Sequence, residues 1–386
     1  MALFFVSCPL GFEEDLAHEL KTFWFEMLDL DGQPTRHNFP EFEKVDGGLE
    51  LDVPEHLGYQ INFFTKIASR VLIRIAKFES RYFDQFEREL KKIDLGKWLD
   101  NQNGLKLQVK IESHRSRLNH EKNLLEAAQN VLQSQKIKAS SEAGDFILFI
   151  RLEKDRVMVS LDTSGEHLHR RGYAKYRGEA PLRENLAGYV ISKLSEYADL
   201  QTSLNLIDPF AGSGTLLFEA ASFFWPLFDR PYAWLKFKNR PKLFQSETWV
   251  KNYKWIHRQK NLDLIAFDQD PQAIQSLLKN SEIFKKIFSL DQWSIQASVA
   301  DSLNVDWGAY NLSPKTWVVT NPPYGHRLSE GSALQILQRL EAQVHLEGLI
   351  VIHPESWKFD FRRLQCVWQN DFNNQGLKLK LSVFKH

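Results

Sequence analysis

Hydrophobic positions in the first 165 residues change period several times. The runs ALFFVSC (2–8), GLELDV (48–53), RVLIRIAKF (70–78) and LKLQVKI (105–111) read as strands. FILFIRLEKDRVMVSLD (146–162) reads as two strands folded about the charged EKDR bend. EEDLAHELKTFWFEML (13–28) and HEKNLLEAAQNVLQSQK (120–136) instead place apolar residues at helical spacing. Such a mixture predicts an α+β module. From residue 182 the grammar becomes regular alternation. LRENLAGYVISKLSEY is a helix, LNLIDPF a strand, TLLFEAASFFW a helix, DLIAFDQD a strand and PQAIQSLLKNSEIFK a helix. The strands WSIQASVAD and KTWVVTNPP follow, then the helix SALQILQRLEAQV and the strand GLIVIHP. This alternation predicts an α/β domain with a parallel sheet flanked by helices. The tail FNNQGLKLKLSVFKH reads as the end of a hairpin turning near Asn374 and Gly376.

At 386 residues the chain is long enough for two or three domains, and 43% hydrophobic content with 28 Phe and 11 Trp supplies ample core. The two cysteines, Cys8 and Cys366, have no metal-type spacing, which points to a reducing compartment and no metal or disulfide framework. The N-terminal apolar run lacks a preceding basic region and is followed by acids, so a strand entering a helix is expected there rather than a signal peptide. No stretch has the ~18 consecutive apolar residues of a membrane span, and a cytoplasmic location is expected.

Net charge is zero, yet its distribution is uneven. Residues 13–55 carry thirteen acids against three bases. Residues 167–183 carry five Lys/Arg against one acid, and residues 236–260 carry eight against one, interleaved with Phe, Trp and Tyr. Basic runs are usually solvated faces. Interleaved aromatics, on which bases can stack, make a nucleic-acid partner the alternative worth carrying.

The candidate chemistry sits at predicted strand ends. In DPFAGSGT (208–215) Gly212 and Gly214 permit a tight turn and close ligand approach, although a bare Gly-x-Gly is also an ordinary β–α turn. Asp268 ends the next strand, where an acid can hold ribose hydroxyls, and Asp301 ends the one after and could bind an adenine amino group. Neither the full G-x-G-x-x-G of NAD enzymes nor a Walker Gly-Lys-Ser/Thr occurs, so a nucleoside cofactor without polyphosphate fits this set.

DPFAGSGT, FDQDP, SVAD and NPPY in this order resemble the motifs of Rossmann-like S-adenosylmethionine-dependent methyltransferases. With APLRENLA, NPPYGHRL, SRLNHEK, DTSGEHLHRRGY and the ending NQGLKLKLSVFKH, the chain resembles the THUMP-domain RNA guanine-N2 methyltransferases, nearest the bacterial 23S ribosomal RNA type. The resemblance implies a ferredoxin-like part over 1–55, a THUMP RNA-binding domain over 56–165, a linker over 166–180 and a methyltransferase domain over 181–386. It implies that Asp208, Gly212 and Gly214 line the methionine end of S-adenosylmethionine, with Phe210, Thr215, Gln269, Ser302 and Asn321 also among the cofactor-binding residues. Asp268 would hold the ribose, Asp301 the adenine, and Ala180, Pro181 and Leu182 would cap the pocket. Ala211 stands where family members often carry Cys. Some relatives carry a second, fused methyltransferase domain, and a single activity is expected here.

In the Asn321-Pro322-Pro323-Tyr324 tetrapeptide the prolines stiffen the loop. An exocyclic amino nitrogen is a weak nucleophile, so it must be held in place with acceptors aimed at its hydrogens. The Asn321 side chain and the Pro322 carbonyl are those acceptors, and Tyr324 offers a ring for an unstacked base. His326 and Arg327 are expected to make surface or phosphate contacts. No metal is expected. In proteins that look like this one the front module grips RNA, which makes Lys110, His114, Arg115, Arg117 and Lys122 candidate phosphate contacts, with the acidic helix facing away. Ribosomal RNA or a large-subunit assembly intermediate is the expected partner. Transfer RNA, DNA adenine, a protein glutamine and a non-enzymatic RNA-binding role stay open as alternatives.

Overall fold

The computed structural model of the chain describes residues 1–100, 105–178, 182–246, 248–253, 262–288, 293–310, 312, 315–324, 330–374 and 377–386. The chain forms two compact units, one of residues 1–168 and 228–254, the other of residues 169–227 and 255–386.

The first unit is built on β1 (Ala2–Ser7), α1 (Glu13–Phe23), β2 (Phe42–Val45), β3 (Gly48–Val53), α2 (Glu55–Phe64), β4 (Arg70–Glu79), α3 (Phe83–Lys91), β5 (Lys106–His114), α4 (Glu121–Ser134), β6 (Lys138–Ser140), β7 (Phe146–Glu153) and β8 (Arg156–Asp162). One eight-stranded sheet runs through all of it in the order β2-β3-β1-β4-β8-β7-β5-β6, so the segments 1–55 and 56–165 share a sheet. Its faces differ. β7 alternates buried and half-exposed residues, the mark of a strand with one face on the core. Four of these elements escape a reading of the sequence. The edge strands β2 and β6 are short and largely exposed, so no alternation marks them. Helix α2 is buried nearly all round and has no polar stripe to reveal a period, and α3 buries only Phe86 and Leu90.

Residues 228–254 are an insertion that leaves the second unit's chain and packs into the first. Trp234 stacks on Tyr59 of α2 at 5.1 Å, and Trp249 stacks on Phe63 at 5.0 Å. The Tyr253 hydroxyl donates to Gln60 Oε1 at 2.7 Å, and Asn239 Nδ2 donates to Glu55 Oε1 at 2.7 Å. The basic, aromatic segment 236–260 therefore differs from its sequence-based reading. Phe237, Phe244, Trp249 and Tyr253 are core residues, while Lys236, Lys238, Lys242 and Lys251 face outward. The interleaving is an amphipathic insertion and not a row of rings for bases. Its last residues, 254–260, lie outside the described residues.

The second unit contains α5 (Glu184–Ser195), β9 (Leu204–Asp208), α6 (Thr215–Ala221), β10 (Leu262–Asp268), α7 (Pro271–Phe288), β11 (Trp293–Val299), β12 (Thr316–Thr320), α8 (Glu330–Gln343), β13 (Gly348–Pro354), β14 (Gln365–Asn374) and β15 (Leu377–Lys385). The sheet order is β11-β10-β9-β12-β13-β15-β14, with β9 to β13 parallel and β15 antiparallel to both its neighbours. Strands β9 and β12 are buried throughout, as a central parallel strand covered on both faces must be. Helix α7 buries Ile274, Leu277, Ser281, Phe284 and Phe288, at helical spacing. The order reverses between β9 and β12, and a parallel sheet opens a crevice there at its carboxyl ends.

Replacing Trp249 with Ala is expected to destabilise the first unit by about 3–5 kcal/mol. Denaturant unfolding followed by a probe in that unit checks this, and an unchanged midpoint would return Trp249 to the list of surface rings.

Candidate functional site

The ends of β9 and β12 meet at the order reversal. Asp208 closes β9 with 2% of its surface exposed. Its Oδ1 accepts hydrogen bonds from the Thr320 hydroxyl at 2.7 Å and from the Phe210 N–H at 3.1 Å. Burial pushes the Asp208 carboxyl up to about 7, with the Asp268 charge adding to the rise, while the two donors work in the opposite direction.

The turn after β9 contains two glycines that answer to different constraints. Gly212 has φ 53°, and a Cβ there would meet nothing within 4 Å, so its side faces open space. Gly214 has φ 87°, and its Cβ would come within 2.7 Å of the Phe218 ring and 2.9 Å of Leu277. Gly214 thus serves the close approach of α6 to α7, a packing role, and Thr215 is buried as the first residue of α6.

Asp268, at the end of β10, is joined to this turn. Its Oδ2 accepts the Gly212 N–H at 2.9 Å and its Oδ1 accepts the Asp270 N–H at 2.9 Å. A carboxylate has about four acceptor positions, so about two remain for hydroxyls of a ligand. Gln269 beside it is exposed. Ser302 is buried, and its hydroxyl donates to the Pro209 carbonyl at 2.8 Å, tying the loop after β11 to the turn after β9. Asp301 is exposed and lies two residues past the end of β11, not at its last position. Its oxygens accept from Leu303 N–H and Asn304 Nδ2, both at 3.0 Å, within its own turn.

Beyond Thr320 the chain continues as Asn321, Pro322, Pro323 and Tyr324. Pro322 is buried and the other three are half-buried. The side-chain oxygen Oδ1 of Asn321 is buried and accepts no hydrogen bond among the described residues. An orphaned acceptor of this kind costs about 1–3 kcal/mol and is expected where a ligand supplies the donor. The structure thus gathers Asp208, Phe210, Gly212, Asp268, Ser302 and Asn321 at one set of strand ends. Thr320, which the sequence did not single out, joins them. Leu182 is half-buried just ahead of α5. Ala180, Pro181, His326 and Arg327 lie outside the described residues.

In the first unit, Lys110 on β5 holds its ammonium 5.5 Å from the centre of the Phe149 ring. His114 ends β5, Arg115 sits in the following turn at φ 47°, and Arg117 and Lys122 follow; these four are exposed. The Arg117 guanidinium lies 4.6 Å from the centre of the Tyr82 ring, and Nη1 donates to the Tyr82 hydroxyl at 3.1 Å. Its backbone N–H donates to Asp155 Oδ1 at 2.7 Å, and Arg81 pairs with the same carboxylate at 3.2 Å. Tyr82, 53% exposed, and Arg81 join this cluster although the sequence reading did not single them out.

Residues 171–354 match the family described as RMKL-like, methyltransferase domain. The chain is 25% identical over 374 residues to the ribosomal RNA large subunit methyltransferase K/L of Marinomonas sp. (strain MWYL1), covering 92% of this chain and 47% of that protein. It is 27% identical over 346 residues to the putative RNA methyltransferase YpsC of Bacillus subtilis (strain 168), covering 85% of this chain and 80% of that one. The chain spans about half the length of the K/L relatives it matches. The solved structure of SMU.472, a putative methyltransferase complexed with SAH, has a TM-score of 0.75 at 20% identity, covering 100% of this chain and 98% of that one. The second unit has the mixed α/β methyltransferase fold.

The carboxyl of Asp208 is raised in the folded chain from 3.8 to about 7. The folded state therefore holds a proton that the unfolded chain releases above pH ~4, so wild-type stability falls as pH rises from about 4 to 7. Asp208→Asn does not titrate, and its destabilisation relative to wild type is expected to be largest at about pH 4 and to shrink by a few kcal/mol toward pH 8. Denaturant unfolding at both pH values checks this, and a gap independent of pH would contradict it.

Proposed function

We propose that the chain is an S-adenosylmethionine-dependent RNA methyltransferase that modifies the exocyclic N2 of a guanine, in large-subunit ribosomal RNA. The observation that carries this reading is the buried Oδ1 of Asn321, without a hydrogen-bond donor among the described residues, at the end of a strand bonded to the glycine-turn strand. The names of the RNA-methylating relatives and the resemblance of NPPYGHRL and APLRENLA to the guanine-N2 family support the substrate.

The donor set fits a nucleoside cofactor. Gly212 leaves space beside the backbone, Asp268 keeps acceptor capacity for ribose hydroxyls, and Asp208 and Ser302 hold the turn in shape. A methyltransferase neighbour solved with SAH supports this choice. When bound, S-adenosylmethionine supplies an electrophilic methyl group. The chain's own part is positioning. Asn321 Oδ1 and the Pro322 carbonyl accept the hydrogens of the target amine and orient its nitrogen, and the two prolines keep those acceptors in place before the base arrives. The Tyr324 ring takes the extruded base on its face. The proton leaves to solvent after transfer, so no strong base is required. The first unit acts as the RNA-binding, THUMP-like module, with Arg115, Arg117 and Tyr82 on one exposed loop cluster.

Labelled S-adenosylmethionine offered with unmodified ribosomal RNA, transfer RNA and duplex DNA, followed by nucleoside mass spectrometry, tests the reading. N2-methylguanosine from ribosomal RNA is expected, and N6-methyladenine from DNA would overturn it. Asn321→Ala is expected to lower transfer about 10²–10³-fold with SAH affinity retained; equal loss of both would remove the role given to Asn321. Replacing Arg115 and Arg117 together with Ala is expected to flatten the salt dependence of RNA binding by about 1.4–1.8 in log–log slope. An unchanged slope would move the footprint elsewhere.

A further inference from the structure

Thr320 belongs to no part of the reaction described so far, and its environment is unusual for a strand residue. It is fully buried, and its hydroxyl donates to Asp208 Oδ1 at 2.7 Å, within the range of a good O–H···O bond. Valine would fill nearly the same volume and favour the strand equally. The hydroxyl is therefore the feature that needs a reason.

The register of the sheet supplies one. On the β13 side the pairing of β12 continues through Thr320, opposite Val351. On the β9 side it stops at Val318, opposite Ile207. Past that point the Thr320–Asp208 side-chain bond joins the two strand ends where the crevice opens. Asp208 is also bonded to the Phe210 N–H in the glycine turn, so one carboxyl contacts both the cofactor turn and the residue preceding Asn321.

We propose that Thr320 is a positioning residue for methyl transfer, its hydroxyl anchored on Asp208 so that Asn321 is held in register with the glycine turn. This inference rests on the methyltransferase reading above. A displacement of about 1 Å between reacting groups can cost on the order of 100-fold in rate, whereas binding of a cofactor held by other residues changes little.

The test compares wild type, Thr320→Val and Thr320→Ser. Turnover and KM are measured with labelled S-adenosylmethionine and the RNA that wild type modifies, and SAH affinity is measured by calorimetry. Thr320→Val is expected to lose about 10–100-fold in kcat while its KM for S-adenosylmethionine and its SAH affinity stay close to wild type. Thr320→Ser, which keeps the donor, is expected to recover most of the turnover. Retained SAH binding by the valine variant shows that it is folded. Wild-type kcat in Thr320→Val overturns the inference. So does a serine variant as slow as the valine one, since packing would then be the cause. A parallel loss of SAH affinity also overturns it, because Thr320 would then serve the cofactor alone. A wild-type protein that transfers no methyl to any RNA sinks the functional reading and this inference with it, whereas an active wild type with an unimpaired valine variant sinks only the inference.

Discussion

A carboxyl group withdrawn from water must be neutralised or hydrogen-bonded, and Asp208 imposes that requirement at the centre of the second unit. Its donors come from two different places, the hydroxyl at the end of β12 and the N–H of the turn that follows β9. Satisfying one residue thus fixes both walls of the crevice. Asp268 repeats the logic one strand away, accepting from Gly212, and Ser302 closes the set by donating to Pro209. Within the turn Gly212 takes a left-handed φ that favours glycine, and the Phe210 side chain packs against the core. The turn closes on its own Gly214 N–H to Ala211 carbonyl bond and is tied to the neighbouring strand ends by Asp268 and Ser302.

The first unit solves a different problem, the covering of a helix that is buried on nearly every side. Phe63 of α2 is in ring contact with Phe228, Tyr232, Trp234, Phe244, Trp249 and Tyr253, all from the insertion. The polar group buried among them is also satisfied: Gln60 exchanges hydrogen bonds with the Leu28 backbone in both directions and accepts from the Tyr253 hydroxyl. The insertion contributes rings inward and lysines outward, so its positive charge faces solvent while its aromatic area is spent on the core. A reading from composition cannot separate those two uses, since both require the same residues.

Much of the second unit was legible in the sequence. Strand–helix alternation announced the parallel sheet, and the glycine turn, Asp268 and the Asn321 tetrapeptide were readable because each carries a local backbone or chemical demand. Less was legible where a residue's role depends on its neighbour. Gly214 reads like Gly212 in the chain, yet the one is required by the Phe218 and Leu277 side chains and the other leaves space beside the backbone. Asp301 reads as a strand end, but β11 stops at Val299 and the carboxylate turns back on its own loop.

The sequence by itself determined the two kinds of module, most of the strands and helices within them, and the short motifs whose stiffness or positive φ is written into their residues. Only the tertiary structure decided that residues 228–254 serve the first unit, that Tyr82 stands under Arg117, and that Thr320 meets Asp208 from 112 positions away. The physical reason is one of range. Periodicity and turn chemistry report whether a residue is buried and how its backbone bends, because those are set within a few residues. Which partner satisfies a buried polar group is set by the sheet order, and that order is fixed only when the whole core closes.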